Sequence, residues 1–144
     1  MTLHLVQENI GQITCRANDT ISAGEFVLPL STNTDVVTSA GMSSFAVSDL
    51  TVEAADATAN HAYVIGIAAE DATSGEYFTV YTEGIFIMKA NETVVPGAAV
   101  QKSETDAEDD QIDALDAGAG QHRIGVALTG ASAADAYCVV KLNI

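Results

Sequence analysis

Short apolar runs separated by polar clusters dominate the sequence, and the runs are rich in β-branched and aromatic residues. Such runs are typical of strands, and the Gly, Asn, Asp and Ser clusters between them are typical of turns. The best helix candidate, residues 52–60, is Ala-rich and could equally be an acidic loop. The predicted strands include 26–28, 47–52, 63–65, 77–80, 85–88 and 137–140. The pattern therefore predicts an all-β chain, folded as a small barrel or sandwich.

The chain contains an internal repeat. The segment Ile-Gly-Ile-Ala at 65–68 returns as Ile-Gly-Val-Ala at 124–127, an offset of 59 (124 − 65). Strand 77–80 returns at 137–140, an offset of 60 (137 − 77). Two copies are too few for a solenoid, so we expect two similar halves that pack as two half-barrels around one core.

The repeat also suggests how the chain is organised. We expect an N-terminal arm and a first strand over residues 1–19. A single β domain, 20–144, would follow, with its two halves at about 20–83 and 84–144. Long polar loops lie within each half, and such loops on a β scaffold are where recognition usually occurs.

Five glycines are predicted to be structural. Gly66 and Gly125 occupy the same position of the repeat inside a strand pattern, which indicates a β-bulge or a close approach of another backbone. Gly24, Gly84 and Gly97 lie in turn signals between strands. No catalytic, cofactor-binding or metal-binding residue is predicted.

Charge narrows the possible partners. The 144 residues include 20 acidic and 5 basic ones, for a net charge of −15. This balance argues against a nucleic acid or an anionic membrane surface as partner, since both require clustered Lys and Arg. A hydrophobic content of 48% excludes disorder for most of the chain. Lys depletion favours adaptation to a salty cytoplasm or brine, where salt screens self-repulsion; the alternative is an ordinary acidic, soluble surface.

Metal chemistry finds little support in the sequence. His4, His61 and His122 are dispersed and lack the spacing of a zinc site. The acidic segment 104–116 lacks the Gly and Glu positions of a calcium-binding loop, so a solvated loop is favoured. Loose cation association by this segment remains an open alternative.

Nucleophilic and redox chemistry are also not indicated. The sequence has neither a Gly-x-Ser-x-Gly elbow nor a phosphate-binding glycine loop, so we expect no enzyme and no cofactor. Cys15 and Cys138 could form a disulfide if their strands were neighbours, but small buried thiols are the favoured interpretation. Residues 1–12 contain no Lys or Arg and no long apolar stretch, which argues against a signal peptide.

Several segments, taken as an ordered set, resemble the small β-rich capsid decoration, or cement, proteins of tailed viruses. The resemblance covers about residues 20–144. The segments are 75–80 (Gly-Glu-Tyr-Phe-Thr-Val), 82–86 (Thr-Glu-Gly-Ile-Phe), 96–100 (Pro-Gly-Ala-Ala-Val), 123–127 (Arg-Ile-Gly-Val-Ala) and 138–142 (Cys-Val-Val-Lys-Leu). They consist of strand and glycine positions, so no catalytic residue is carried over.

The resemblance implies a non-enzymatic oligomer, often a trimer, on the outer capsid surface at the junctions between major capsid proteins. Such a protein is made in the host cytoplasm and helps the shell to resist internal DNA pressure. Together with the composition, the resemblance suggests a tailed virus of a haloarchaeon. Loop 31–60 is longer than the family pattern, and its role is open. An alternative of another class is a host-attachment or glycan-binding module that uses loops 31–60 and 103–120.

Overall fold

The computed structural model describes residues 4–7, 11–30, 50–55, 64–103, 110–115 and 123–144. Within these ranges the chain forms strands and no helix, so this part of the chain has no helix that could span a membrane. The strands are β1 (His4–Gln7), β2 (Gln12–Ala17), β3 (Phe26–Pro29), β4 (Thr51–Ala54), β5 (Gly66–Ala68), β6 (Tyr77–Tyr81), β7 (Glu83–Ala90), β8 (Ala99–Lys102), β9 (Gln111–Ala114), β10 (Gly125–Ala127) and β11 (Tyr137–Asn143). The prediction of an all-β fold is confirmed.

Strand β7 shows why these residues fold as they do. Phe86, Met88 and Ala90 are fully buried, whereas Ile85 and Ile87, at the alternating positions, are only partly buried. Successive side chains of a strand point to opposite faces, so one face of β7 lies in a core and the other lies toward the surface. The same alternation recurs along β11.

The strands close two separate five-stranded barrels. The first barrel has the order β2-β4-β3-β5-β6, with β6 paired back to β2. The second has the order β7-β11-β10-β8-β9, with β9 paired back to β7. Each contains one parallel pair, β2–β4 or β7–β9, and its other pairs are antiparallel. The two similar halves are therefore confirmed, but each half closes on itself and is not half of a shared barrel.

Closure depends on two short strands inside segments predicted to be loops. β4 lies within 31–60 and pairs with β2 and β3, while β9 lies within 104–116 and pairs with β7 and β8. Each strand places one aliphatic side chain, Val52 or Ile112, fully in a core. The loop prediction is wrong at these two places, although the predicted strand 47–52 overlaps β4 at residues 51–52. The helix candidate is wrong for residues 52–54.

Each barrel has its own interior, and a seam joins them. Cys15, Val27 and Phe78 pack inside the first barrel. Phe26 and Ile67 lie opposite each other on the outer face of β3 and β5, yet both are fully buried because they pack with the core of the second barrel. The outer face of the first barrel therefore continues into the core of the second.

The two cysteines lie in different barrels, Cys15 in the first and Cys138 in the second. Both are buried and free, as the thiol interpretation predicted. Burial raises the pKa of the Cys15 thiol to about 11 and also raises the pKa of Cys138. Transfer of a thiolate into an apolar core is unfavourable, so neither thiol is activated.

The N-terminal segment adds a strand to the second barrel. β1 pairs antiparallel with β7 opposite Ile85, Phe86 and Ile87, along the part of the β7 edge that β9 leaves uncovered. His4 lies in β1, whereas His61 and His122 lie outside the described residues.

Candidate interaction surface

Gly66 and Gly125 occupy equivalent places, at the start of β5 and of β10. A β-carbon at Gly66 would overlap the Val80 Cγ1 atom and lie 2.5 Å from the carbonyl oxygen of Tyr81. A β-carbon at Gly125 would overlap the carbonyl oxygen of Lys141. The neighbouring strand thus approaches each glycine too closely for a side chain. The structural role of both glycines stays a prediction that the variants described below test.

Of the other predicted glycines, Gly24 and Gly97 lie in turns, whereas the turn prediction is wrong for Gly84, which lies in β7. Gly24 and Gly97 are equivalent, have φ values of 94° and 86°, and donate hydrogen bonds of 2.8 Å to the carbonyl oxygens of Ala68 and Ala127. Gly84 has a φ of 150°, and a β-carbon there would lie 2.7 Å from the Phe86 ring. Positive φ is where glycine is favoured over other residues. A structural role for these three glycines is likewise still a prediction.

The acidic segment 104–116 is only partly described. Asp110 is buried rather than solvated, and the neighbouring Lys102 is fully buried and donates from Nζ to the carbonyl oxygen of Ser103 at 2.9 Å. Among the described residues, no group of three His, Cys, Asp or Glu side chains is placed to hold a metal ion. The acidic residues of this segment that lie outside the described ranges are Glu104, Asp106, Glu108, Asp109 and Asp116.

Two exposed tyrosines occupy equivalent positions at the start of β6 and β11. Tyr77 is 55% exposed and lies opposite Arg16 on β2, and Tyr137 is 59% exposed and lies opposite Lys89 on β7. Lys89 forms an ion pair of 2.9 Å with Asp135, and this contact lowers the pKa of the Asp135 carboxyl. Each barrel therefore presents an aromatic side chain next to a cation.

A groove runs along the outer face of β10 and β11. Its volume is about 510 Å³, and we call it the basic groove. Lys141 lies directly opposite Val126, and Leu128, beyond the end of β10, is 47% exposed. The lining residues are Arg123, Gly125, Val126, Leu128, Lys141 and Asn143. The groove thus combines apolar surface with two of the chain's 5 basic residues.

The turns at one end of the first barrel carry a group of carboxylates that we call the acidic rim. They accept backbone hydrogen bonds: Glu25 from Ser22 at 2.8 Å, Asp71 from Ala23 at 2.9 Å, Glu70 from Thr79 at 3.1 Å and Glu76 from Thr73 at 2.8 Å. The rim consists of Asp19, Glu25, Glu70, Asp71 and Glu76. These bonds fix the negative charges to a rigid part of the barrel.

The rim carboxylates do not share one environment. The pKa of Glu25 is raised overall. Burial is the main cause and the charges of Asp110 and Asp19 add to it, while the hydrogen bond from Ser22 acts in the opposite direction. Hydrogen bonds from Thr73 lower the pKa of Glu76.

The sequence of residues 6–142 matches the family model described as phage cement protein. The chain belongs to the phage cement protein family. This membership confirms the resemblance to cement proteins and makes the chain a structural protein of the virion.

A solved structure shares the fold of this cement protein. It is the head fiber gp8.5 N base of bacteriophage phi29, with a TM-score of 0.57 and 13% sequence identity. The match covers 94% of this chain and 95% of the phage chain, so it includes both barrels. No curated protein matches the chain.

Sequence reasoning missed the groove and the rim. Arg123 and Lys141 are separated in the chain, and they line the same groove because β10 pairs with β11. One signal was available for the tyrosines, because the offset of 60 between the repeats already aligns Tyr77 with Tyr137. It did not indicate that both side chains are exposed.

Proposed function

We propose that this cement protein is a non-enzymatic capsid protein that decorates the outer surface of the shell as a homotrimer. It binds the junctions between major capsid proteins and thereby stabilises the particle against internal pressure. The family match over residues 6–142 is the observation that carries this proposal. Two closed barrels, each with a packed interior, suit a protein whose task is to resist force.

Multivalency makes weak contacts sufficient for this role. A trimer with two barrels in each subunit engages the shell at several places simultaneously, so the second and later contacts form at a high effective concentration. The chain is synthesised in the host cytoplasm and binds the assembled capsid.

The test uses particles assembled without this protein. Purified protein is added, bound copies are counted by quantitative gel analysis, and their position is determined by cryo-electron microscopy. We expect saturable binding at the capsid junctions and a higher temperature of genome release for decorated particles. Particles that already carry the protein are the control and should bind no more of it. Density confined to the tail, or an absence of binding, would contradict the proposal.

We propose in addition that the virus infects a haloarchaeon. The net charge of −15 and the restriction of Lys to positions 89, 102 and 141 support this host. Self-repulsion of a compact acidic chain decreases as the Debye length shortens from about 10 Å at 0.1 M salt to about 3 Å at 1 M.

The midpoint of thermal unfolding should therefore rise over this range of salt concentration. A variant with Asp19→Asn and Glu83→Gln carries fewer negative charges and should show a smaller rise. A midpoint that is independent of salt would contradict the proposed host.

A further inference from the structure

The two barrels differ in charge at equivalent positions. Lys141 pairs with Val126 as Tyr81 pairs with Ile67, so the cation of the second barrel replaces a tyrosine of the first. Arg123 corresponds to Val64, by the same offset of 59 that relates Gly125 to Gly66. The positive charges of the basic groove are therefore specific to the second barrel.

The acidic rim is in turn specific to the first barrel. The backbone of Thr79 donates to Glu70, and the backbone of Val139, its equivalent, donates to the hydroxyl of Thr129. Of the rim positions, only Asp19 has an acidic equivalent in the second barrel. The equivalents of Asp19, Glu25, Glu70, Asp71 and Glu76 are Glu92, Ala98, Thr129, Gly130 and Ala136. The same fold thus carries opposite charges on two different surfaces.

The basic groove is also an unpartnered face. Its equivalent on the first barrel is filled, because Ile67 packs into the seam and the Tyr81 ring stacks on Phe86 with 5.5 Å between the ring centroids. Arg123 and Lys141 are exposed, and neither forms an ion pair within the described residues. A guanidinium and an ammonium beside exposed apolar surface are well suited to carboxylates on a protein surface.

We propose that the acidic rim of one copy of this chain occupies the basic groove of the next copy. Because the two surfaces differ, the contact is head-to-tail, and head-to-tail contacts close into rings when their rotation permits. A face-to-face dimer through the groove would bring the same cations together and is disfavoured. This proposal rests on the oligomeric state put forward above and identifies the surfaces that build it.

The test is charge reversal at about 0.15 M ionic strength, where the Debye length is about 8 Å. The groove variant is Arg123→Glu with Lys141→Glu. The rim variant is Asp19→Lys, Asp71→Lys and Glu76→Lys, which changes the formal charge of the rim from −5 to +1 (three Lys against the remaining Glu25 and Glu70). Sedimentation velocity should show that each variant dissociates, with a dissociation constant raised about 100-fold, because like charges then face each other. A chain that carries both sets of changes restores opposite charges and should reassociate to within about tenfold of wild type.

The matched control is Glu92→Lys, which makes the same charge change as Asp19→Lys at the equivalent, exposed position of the second barrel and belongs to neither surface. It should leave the dissociation constant unchanged, and circular dichroism should show that every variant is folded. A groove variant that associates like wild type, or a combined variant that stays dissociated, would overturn the head-to-tail contact. A monomeric wild-type chain would also overturn it, without affecting capsid binding, which the copy number on particles tests separately.

Discussion

Two equivalent outer faces of the barrels have different surroundings. One is formed by β5 and β6 in the first barrel and the other by β10 and β11 in the second, and the two strand pairs have the same register. Ile67 on the first face is fully buried in the seam, while its equivalent Val126 lines an open groove. Both barrels have a glycine where the neighbouring strand approaches too closely for a β-carbon, Gly66 and Gly125. The repeat therefore conserves what closes a barrel and varies what the barrel contacts.

The edges of the barrels differ in a similar way. Ile85 and Ile87 on β7 are paired with β1, whereas their equivalents on β2, Gln12 and Thr14, pair with no strand on that side among the described residues. Polar side chains at an uncovered edge discourage pairing with other chains. The edge that is covered is aliphatic, and the edge that is uncovered is polar.

The largest expected change in stability comes from shortening an apolar side chain on each of the two outer faces. Ile67→Ala removes buried methyl groups from the seam and should reduce the free energy of unfolding by about 3 kcal/mol. Val126→Ala, the matched change in the open groove, should reduce it by less than about 1 kcal/mol. Chemical denaturation measures both. Equal losses would show that the two faces are equally buried in solution and would break the comparison.

Substitution of the equivalent strand glycines should destabilise both barrels to the same extent. Gly66→Ala and Gly125→Ala each force a β-carbon against a neighbouring backbone, which should reduce the free energy of unfolding by about 2 kcal/mol. Gly97→Ala is the control, because a β-carbon there meets nothing within 4 Å and only the positive φ opposes it. It should cost about 1 kcal/mol. If only one of the two strand glycines were sensitive, the equivalence of the barrels would fail.

Removal of residues 1–8 should make the edge of β7 resemble that of β2. The amides of Ile85 and Ile87 would lose their cover and should exchange hydrogen about tenfold faster, a change of about 1.4 kcal/mol. The amides of Gln12 and Thr14 serve as an internal reference and should not change. Unaltered protection of Ile85 and Ile87 would mean that β1 does not hold this edge.

The smallest effect concerns the equivalent turns at Gly75 and Asp135. Asp135 has a φ of 65° and an ion pair with Lys89, where the first barrel has a glycine with a φ of 89°. Because the pKa of Asp135 is lowered in the folded state, its contribution to stability is present above the unfolded pKa and is lost as pH falls through the folded pKa.

The variant Asp135→Gly should therefore differ little from wild type near neutral pH and become relatively more stable in acid. Thermal unfolding as a function of pH measures this difference. A difference that does not depend on pH would show that the ion pair is not formed in solution.

Much of the fold could be predicted because single strands have a recognisable pattern in the sequence and the pattern repeats. The strand at Tyr77 and the strand at Tyr137 carry their own periodicity, and Gly66 and Gly125 identify the alignment. β4 was predicted only at residues 51–52, within the predicted strand 47–52, and β9 was not predicted. Their segments, Thr-Val-Glu-Ala and Gln-Ile-Asp-Ala, become strands through pairing with distant strands.

The surfaces were harder to predict for a related reason. The acidic segment suggested a solvated loop, but Asp110 is buried because β9 completes the second barrel. The basic groove requires the register of β10 against β11, which places Lys141 opposite Val126. Composition gives the sum of the charges, whereas the pairing of strands determines which charges become neighbours.

Each barrel contains a single cysteine in its interior, Cys15 in the first and Cys138 in the second. A thiol in an apolar core reacts with an alkylating reagent only when that core opens. Mass spectrometry of the two peptides would therefore report the opening rate of each barrel separately. Labelling of this kind also works on intact virions, where the shell obscures optical and calorimetric signals. The wild-type chain thus carries its own pair of probes for measuring how the particle distributes mechanical load.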